Sequence, residues 1–276
     1  MKDYKNFLKT IIYYMGVSLL ACLYILPLLW MLSTSLKTQS DVLRLPPVLI
    51  PHSPQWSNYL TIFKRLPLGR YFLNTLIIAV STMIGSIVSC TFVGYGFSKL
   101  RWPLRDFFFV VLLATMMIPF PTVMIPLFLT FRRLGWINTY LPLIIPTFCA
   151  SPYLTFLARQ FFMSVPNELI DAARVDGASE LKIYSSLILP LSKPLIIVIG
   201  LFEFLYAWND FTGPLIYLTS QEKFTLAIGL QLFSGAHMSE WHLQMAASTI
   251  VTLPIIVLFF ILQRYFIEGI TITGIK

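Results

Sequence analysis

Residues 166–182 read Pro-Asn-Glu-Leu-Ile-Asp-Ala-Ala-Arg-Val-Asp-Gly-Ala-Ser-Glu-Leu-Lys, a polar stretch in a chain that is otherwise strongly apolar. The charged side chains of this stretch are Glu168, Asp171, Arg174, Asp176, Glu180 and Lys182. They fall within about four helical turns and surround a pair of small residues, Ala172 and Ala173. We predict that the stretch forms a surface for docking a partner outside the membrane.

Local signals in this stretch predict two helices joined by a sharp turn. We call this segment, residues 166–190, the elbow. Asn167 is a favourable N-cap, and Glu168 lies in the first turn, where the helix dipole favours an anion. Gly177 is expected to end the first helix, since glycine readily adopts the left-handed conformation that closes a helix. Ser179 is expected to cap a second helix over about residues 180–189.

The first elbow helix has two interpretations, docking to a protein or resting on lipid headgroups. Helices that rest on lipid usually have a basic polar face opposite large apolar residues. This helix is acidic, and Ala172 and Ala173 leave room for a partner's groove, with Asp171 and Arg174 offering charge at the rim. The residue types therefore favour docking.

The composition of the remaining chain predicts an integral membrane protein. Among 276 residues, 57% are hydrophobic and 12% are charged, whereas charged residues approach about a quarter of soluble domains. The net charge of +8 does not indicate nucleic-acid binding, because Lys and Arg are scattered at the ends of apolar runs, as in membrane proteins.

Neither a metal site nor a catalytic centre is predicted. The three cysteines, Cys22, Cys90 and Cys149, lie in apolar runs and are expected to be core residues. The histidines, His52, His237 and His242, lack the spacing of metal ligands. Ser, His and acidic residues form no cluster at helical spacing, and the ending from Gly269 lacks the Lys and Ser/Thr of a phosphate-binding loop. We therefore expect any ATP and Mg to be bound by partner subunits.

Six apolar segments are long enough to cross a bilayer, which takes about 20 residues, and they predict an all-α membrane domain over residues 1–276. The segments are about 11–33, 75–97, 107–131, 141–161, 194–218 and 246–266. The third contains Pro119, Pro121 and Pro126, which kink a helix and are tolerated where neighbouring protein or a cavity satisfies the freed backbone groups. Helix packing and a pathway wall both account for this irregular span.

The distribution of basic residues predicts the orientation. Six spans place both termini on one side, and with the termini in the cytoplasm 12 of the 20 Lys and Arg residues lie inside and 8 outside. The bias has the expected direction, although the long outer loop between the first two spans weakens its contribution. This orientation places the elbow in the cytoplasm.

The spacing of Asp171-Ala172-Ala173, Gly177, Leu187 and Leu189-Pro190 resembles the EAA loop of permease subunits in binding-protein-dependent ABC importers. The resemblance implies a type I (MetI-like) permease fold, in which this loop is a coupling helix seated in a cleft of an ATP-binding subunit. Asp171 stands where the family usually has Glu, and Leu187 where it usually has Ile. The coupling residues implied are Glu168, Asp171, Ala172, Ala173, Arg174, Gly177, Leu187 and Pro190.

Further segments resemble the carbohydrate-uptake branch of this family, namely the smaller partner of the maltose-type permease pair. The segments begin at Gly94-Tyr95-Gly96, Ile118-Pro119, Ile125-Pro126, Leu134-Gly135, Trp208-Asn209-Asp210 and Phe266-Ile267-Glu268. The resemblance implies a homologous permease, two ATP-binding subunits, an extracytoplasmic solute-binding protein and a sugar, expected to be a di- or oligosaccharide. It also implies a bacterial or archaeal cytoplasmic membrane, and a tail that reaches toward the nucleotide-binding dimer.

The fifth span carries the candidates for substrate contact. Glu203 lies roughly 13 Å into it, and an ionisable group at that depth usually faces a bundle interior or water. Trp208, Asn209 and Asp210 follow, and sugars are commonly held by an aromatic face with amide or carboxylate groups. Three roles remain open for Glu203: lining the pathway, contacting the partner subunit, or being a buried acid hydrogen-bonded to a neighbouring helix. Substrate contact, helix packing and gating remain open for the others.

Two other functions remain as alternatives. An ion-coupled secondary carrier would use Glu203 and Asp210, but six spans without a clear internal repeat are atypical of such carriers. The second alternative is a membrane scaffold that does not transport. The energy source of uptake distinguishes the carrier from the importer, and co-purification of an ATPase argues against the scaffold.

Overall fold

The computed structural model describes the backbone of residues 2–236 and 240–273 and the side chains of residues 6–7, 9–233 and 240–263. Regular structure in these residues is entirely helical. The α-helices are α1 (Lys2–Ser35), α2 (Gln39–Val42), α3 (Ser57–Arg65), α4 (Leu68–Lys99), α5 (Arg105–Ala114), α6 (Phe120–Arg133), α7 (Leu141–Ile144), α8 (Pro152–Met163), α9 (Asn167–Val175), α10 (Glu180–Ile183), α11 (Leu189–Leu191), α12 (Lys193–Asn209), α13 (Thr212–Tyr217), α14 (Leu226–Ala236) and α15 (Trp241–Thr273). Short 3₁₀ turns cover Thr115–Met117, Ile145–Cys149 and Gln221–Lys223, and a π turn covers Tyr184–Ile188.

Among the described residues, four to six helical segments are long and apolar enough to cross a membrane. The unbent segments are Lys9–Ser35, Leu68–Lys99, Leu141–Met163 and Trp241–Gln263. Two bent pairs complete the count of six, Arg105–Met117 with Phe120–Arg133 and Glu180–Leu191 with Lys193–Asn209.

The predicted third span is bent rather than merely kinked. Its two halves meet at an angle of 97°, and the backbone between them is extended at Ile118 and Pro119. Proline disfavours the helical conformation of the residue before it, which explains why the helix stops at this point. Pro126, in contrast, lies inside α6.

The predicted fifth span also differs from a single helix over residues 194–218. Helix α12 ends at Asn209, the backbone of Asp210 is extended, and α13 begins at Thr212. The Asp210 carboxylate accepts a 3.0 Å hydrogen bond from the Gly213 amide, which supplies a partner to the free N-terminus of α13. A hydropathy average over the span does not register this local break.

One of two compact units comprises Met1–Leu68 and Gly229–Pro254. Asn58 in α3 donates hydrogen bonds to the carbonyl oxygens of Ser35 (2.8 Å) and Lys37 (3.0 Å), which fixes the turn after α1. Lys37 is 1% exposed, and its ammonium lies 4.3 Å from the ring centroid of Trp30. This cation–π contact partly replaces the water that the buried charge has lost.

The other unit comprises Gly69–Ile228 and Ile255–Lys276 and contains the elbow. Its core joins α4, α8, α12 and both elbow helices, with Tyr95, Phe162 and Ile188 among the buried side chains. Gly94 permits the close approach of α4 to α8, because a Cβ atom there would lie 2.6 Å from the Ala158 Cβ. Small residues commonly allow membrane helices to pack this closely.

Parts of three predictions lie outside the described residues. The side chains of the predicted tail, residues 266–271, fall in this category, as do His237 and the extreme ends of the chain, Met1 and residues 274–276. The tail's reach and the side of the membrane that holds the termini stay predictions.

Candidate functional site

The first elbow helix, α9, begins one residue earlier than an Asn167 cap would require. Pro166 occupies the N-cap position without a capping side chain, and Asn167 is the first helical residue. The Asn167 Oδ1 atom instead accepts a 2.8 Å hydrogen bond from Lys99 Nζ, which also donates to the Val165 carbonyl at 2.6 Å. The prediction of an Asn167 cap is therefore wrong, because a lysine at the end of α4 takes up its side chain.

The end of α9 has the predicted conformation. Gly177 has φ +79°, in the left-handed region that favours glycine. The Ala178 amide donates to the Ala173 carbonyl and the Gly177 amide to the Arg174 carbonyl, both at 3.0 Å. These two bonds form a Schellman motif and satisfy carbonyl groups that the helix end would otherwise leave unpaired.

The second half of the elbow is less regular than the predicted helix over residues 180–189. Ser179 caps it as predicted, because its hydroxyl accepts a bond from the Lys182 amide. Regular α-helix then gives way to the π turn, in which the Leu189 amide bonds to the Tyr184 carbonyl. Pro190 has no amide hydrogen for a regular helical bond, which accounts for irregular structure next to it.

A charge network connects the two elbow helices to α4. Arg174 donates from Nε to Glu180 Oε1 at 2.7 Å and from Nη1 to Asp171 Oδ1 at 2.9 Å. The other Glu180 oxygen accepts a 2.7 Å hydrogen bond from the hydroxyl of Tyr95 in α4. Hydrogen bonds to Glu180 and Asp171 raise the pKa of the Arg174 guanidinium, so this cation is permanent.

Opposite faces of α9 have different surroundings. Ile170 is 2% exposed and packs in the same core as Ile183 of α10. Ala172 on the other side is exposed, and Val175 is 88% exposed. The elbow is therefore fixed to its unit by one face while the other face is open, which is the arrangement that docking requires.

The remaining predicted coupling residues include both exposed and partly buried positions of the elbow. Glu168, Asp171 and Gly177 are exposed, and Ala173 and Leu187 are partly buried against the core. Tyr95 and Lys99, which hold the elbow to α4, were not among the predicted site residues. Both lie in the segment beginning at Gly94 that carried part of the family resemblance, and that segment was the signal available for finding them.

The predicted pathway residues do not share one open surface. Glu203 is 8% exposed, and the nearby Ser86 hydroxyl of α4 has no hydrogen-bond partner among the described residues. Trp208 is 2% exposed and lies between Phe72 and Phe204, with ring centroids 5.7 and 5.3 Å away. This placement favours helix packing for Trp208 among the roles that the sequence left open.

Beyond Trp208, the chain turns polar at the end of α12. Asn209 is exposed and donates from its side chain to the Leu205 carbonyl at 2.7 Å, while Asp210 caps α13. Tyr206, one turn after Glu203, is 71% exposed and was missed as a candidate, although a spacing of three residues on a helix places it on a related face. Within the described part of the chain, no group of three or more His, Cys, Asp or Glu side chains is placed to hold a metal.

The sequence of this chain matches the model of a known protein family. Residues 81–272 match the model of the binding-protein-dependent transport system inner membrane component. This match includes α8, the whole elbow and α12.

Individual relatives are similar over nearly the full chain. The arabinooligosaccharides transport system permease protein AraQ of Halalkalibacterium halodurans is 34% identical, over 95% of this chain and 94% of its own length. The melibiose/raffinose/stachyose import permease protein MelC of Bacillus subtilis is 32% identical over 94% of each chain. The sn-glycerol-3-phosphate transport system permease protein UgpE of Pectobacterium atrosepticum is 32% identical, over 83% of this chain and 84% of its own.

The fold is also similar to a solved structure. A bacterial ABC transporter involved in the import of the acidic polysaccharide alginate contains a chain that superposes with a TM-score of 0.82 at 24% sequence identity. The alignment covers 95% of the present chain and 98% of the other. The predicted all-α permease fold is thereby confirmed.

Proposed function

The chain belongs to the family of binding-protein-dependent transport system inner membrane components, and on that basis we propose that it is the permease subunit of an ATP-driven importer of di- or oligosaccharides. It is a membrane-embedded transport subunit, as its family and relatives are. In this proposal it forms the translocation pathway with a homologous permease. Two ATP-binding subunits and an extracytoplasmic solute-binding protein complete the importer.

The substrate class rests on the relatives. AraQ and MelC are named for arabinooligosaccharides and for melibiose, raffinose and stachyose, whereas UgpE is named for sn-glycerol 3-phosphate. Two of these three names specify short sugar chains, which supports a di- or oligosaccharide over a phosphorylated polyol. Asn209 and Asp210 remain the proposed polar contacts along the pathway, with Glu203 at the pathway or at the interface with the partner permease.

The coupling role of the elbow rests on one observation, the contrast between its two faces. Ile170 is 2% exposed and the elbow is bonded to α4 through Tyr95, whereas Ala172 and Val175 are open. Interiors are close-packed and transmit displacement with little compression. Movement of an ATP-binding subunit against the open face therefore displaces α4 and α12 together with the elbow.

The proposed orientation places the elbow and both termini in the cytoplasm, where ATP is available. Apolar side chains of α1 are exposed in the single chain, for example Leu19 at 73% and Tyr24 at 78%. A continuous exposed apolar surface of this kind is normally covered by lipid or by another apolar helix. We assign it to lipid and to the homologous permease.

An ion-coupled carrier is not supported. Neither of its two ionisable groups is an open ion site, since Glu203 is buried and the Asp210 carboxylate accepts a hydrogen bond from the Gly213 amide. The family match also places the chain among binding-protein-dependent systems.

Reconstitution tests the proposal. The chain is co-expressed with a homologous permease, an ATPase and a binding protein from the same organism, and the purified complex is placed in liposomes with ATP inside. We expect uptake of a radiolabelled oligosaccharide that requires both ATP and the binding protein and that survives collapse of ion gradients. Uptake that follows an ion gradient and ignores ATP contradicts the proposal.

A further inference from the structure

A polar cavity of about 870 Å³ lies between the α4–α5 loop and the elbow, in the unit that contains both. The side chains that matter for its charge are Lys99, Arg101, Arg105, Arg174, Asp171 and Glu180. Four cations and two carboxylates give the wall a formal excess of positive charge. A cavity of this volume is large enough for a small ligand or a lipid headgroup.

The excess charge is concentrated on the side of the cavity formed by the α4–α5 loop. Both carboxylates bond to Arg174 and balance that cation. Among the described residues, Lys99 donates hydrogen bonds to two uncharged oxygens, those of Val165 and Asn167, and the exposed Glu168 carboxylate acts on it without a direct bond. Arg101 is exposed, and its side chain has no hydrogen bond or ion pair in the part of the chain that the structure describes.

The loop that carries Arg101 is held in a fixed conformation. Trp102 donates from its indole nitrogen to the Gly96 carbonyl at 3.2 Å, and Arg105 donates to the Leu100 carbonyl at 3.3 Å. Arg105 also pairs with Asp106, so part of its charge is balanced. Two cations, Lys99 and Arg101, therefore face the cavity without a bonded counter-ion among the described residues.

An exposed apolar surface adjoins the basic wall. Leu104 and Phe107 line a neighbouring cavity together with Arg101, Trp102 and Arg105. Their exposed fractions are 66% and 60%, and they lie where α5, an apolar helix, begins. Basic residues, a tryptophan and exposed apolar residues at the end of a membrane helix are the combination found at the headgroup level of a bilayer.

We propose that this cavity binds the headgroup of an anionic phospholipid. The phosphate faces Lys99 and Arg101, and the acyl chains extend over Leu104 and Phe107. Basic pockets at the ends of membrane helices bind such headgroups, and the adjoining apolar surface favours a lipid over an acidic protein segment, which has no acyl chain to cover it. Because Asp171 and Arg174 of the elbow form part of the wall, the bound lipid contacts the element to which we assign coupling.

Lipid retention measured on the whole importer tests this site. The complex is purified from nanodiscs that contain phosphatidylcholine with or without phosphatidylglycerol, and retained lipid is counted by native mass spectrometry. We expect Arg101→Gln to lower the apparent affinity for phosphatidylglycerol about fivefold, as loss of one basic contact predicts. Arg101→Lys, which keeps the charge, is expected to retain the lipid. Arg132→Gln, at an exposed arginine near the end of α6, is the matched control and is expected to change nothing.

Each contrary outcome assigns the cavity differently. Equal retention in the wild type and in Arg101→Gln overturns the proposal. Loss of the ATP-binding subunits from Arg101→Gln at unchanged lipid retention assigns the basic wall to a protein partner, and displacement of the lipid by inorganic phosphate assigns it to a free anion. The inference uses the proposed function only for the elbow's role, so a complex that retains the lipid but transports no sugar refutes the proposed function and leaves the lipid site intact.

Discussion

The hydroxyl of Tyr95 donates a 2.7 Å hydrogen bond to the Glu180 carboxylate, although 85 residues separate the two in sequence. Tyr95 is 2% exposed in α4, and Glu180 is the first residue of the helix that follows the elbow's turn. The bond therefore joins a membrane-length helix to the coupling element. Displacement of the elbow is passed to α4 through this contact and through the core around it.

Removing the Tyr95 hydroxyl is expected to weaken coupling while preserving the fold. Tyr95→Phe keeps the ring contacts with Tyr184 and Phe162 and loses one hydrogen bond, at a cost of about 1 kcal/mol. We expect a lower ratio of sugar molecules imported to ATP molecules hydrolysed, measured in proteoliposomes. Tyr24→Phe removes a hydroxyl from a residue that is 78% exposed and is the control. An unchanged ratio in Tyr95→Phe would show that the bond does not transmit force.

Replacing Gly177 is expected to uncouple ATP hydrolysis from uptake without preventing membrane insertion. At φ +79° an alanine costs roughly 1–2 kcal/mol, although no atom lies within 4 Å of the added Cβ. The destabilisation therefore comes from the backbone conformation and not from a steric clash. Gly177→Asp adds a like charge to an acidic elbow and should be more severe.

Gly135 offers a control for backbone strain alone. It also has positive φ (+70°) and open space, but it follows α6 rather than lying in the elbow. Gly135→Ala should lower thermal stability by a similar amount and keep the normal ratio of uptake to ATP hydrolysis. Equal uncoupling in both variants would mean that general destabilisation explains the effect.

The close approach of α4 to α8 predicts a stability difference between two glycines of one helix. Gly94→Ala places a Cβ 2.6 Å from the Ala158 Cβ, so the helices must separate, at about 1–3 kcal/mol. Gly96→Ala meets no atom within 4 Å and is expected to be neutral or slightly stabilising. Thermal unfolding in detergent measures both variants, and equal melting temperatures would disprove this packing.

Glu203 provides a test of the energy source. Glutamine keeps the shape of the side chain and removes only its ability to carry charge, so Glu203→Gln should change uptake by less than about twofold, with no dependence on ion gradients. Glu203→Ala leaves a cavity beside a buried hydroxyl and should destabilise the protein by about 2–5 kcal/mol. Uptake that becomes insensitive to pH and sodium only in Glu203→Gln would restore the carrier interpretation.

The sequence predicted local features of the elbow better than contacts between distant residues. The turn at Gly177 and the cap at Ser179 depend on one residue and its immediate neighbours, and both have the predicted conformation. The Asn167 cap failed because Lys99, 68 residues away, takes up the amide oxygen. Contacts of this kind depend on which helices become neighbours, and hydropathy does not determine that.

The fifth span illustrates the same limit within a single segment. Its apolar character predicted a continuous helix, yet the backbone is extended at Asp210 and the helix ends at Asn209. Trp208 was a candidate for sugar contact because its neighbours are polar, and its burial is decided partly by Phe72 from another helix. Residue type suggested the chemistry of Trp208 and Asp210, and helix packing determined how far each of these side chains is exposed.

Cross-linking from Ala172 tests the coupling role of the elbow most directly. Cys22, Cys90 and Cys149 are replaced by serine, and Ala172→Cys is introduced on the open face of α9. A short heterobifunctional reagent is then applied to the assembled importer; its maleimide reacts with the Ala172→Cys thiol and its succinimidyl ester with a lysine amine of a neighbouring subunit. We expect a cross-link to an ATP-binding subunit whose yield changes when ATP is added. Labelling of Ala172→Cys from outside intact cells by a membrane-impermeant maleimide, with no cross-link to that subunit, would contradict it.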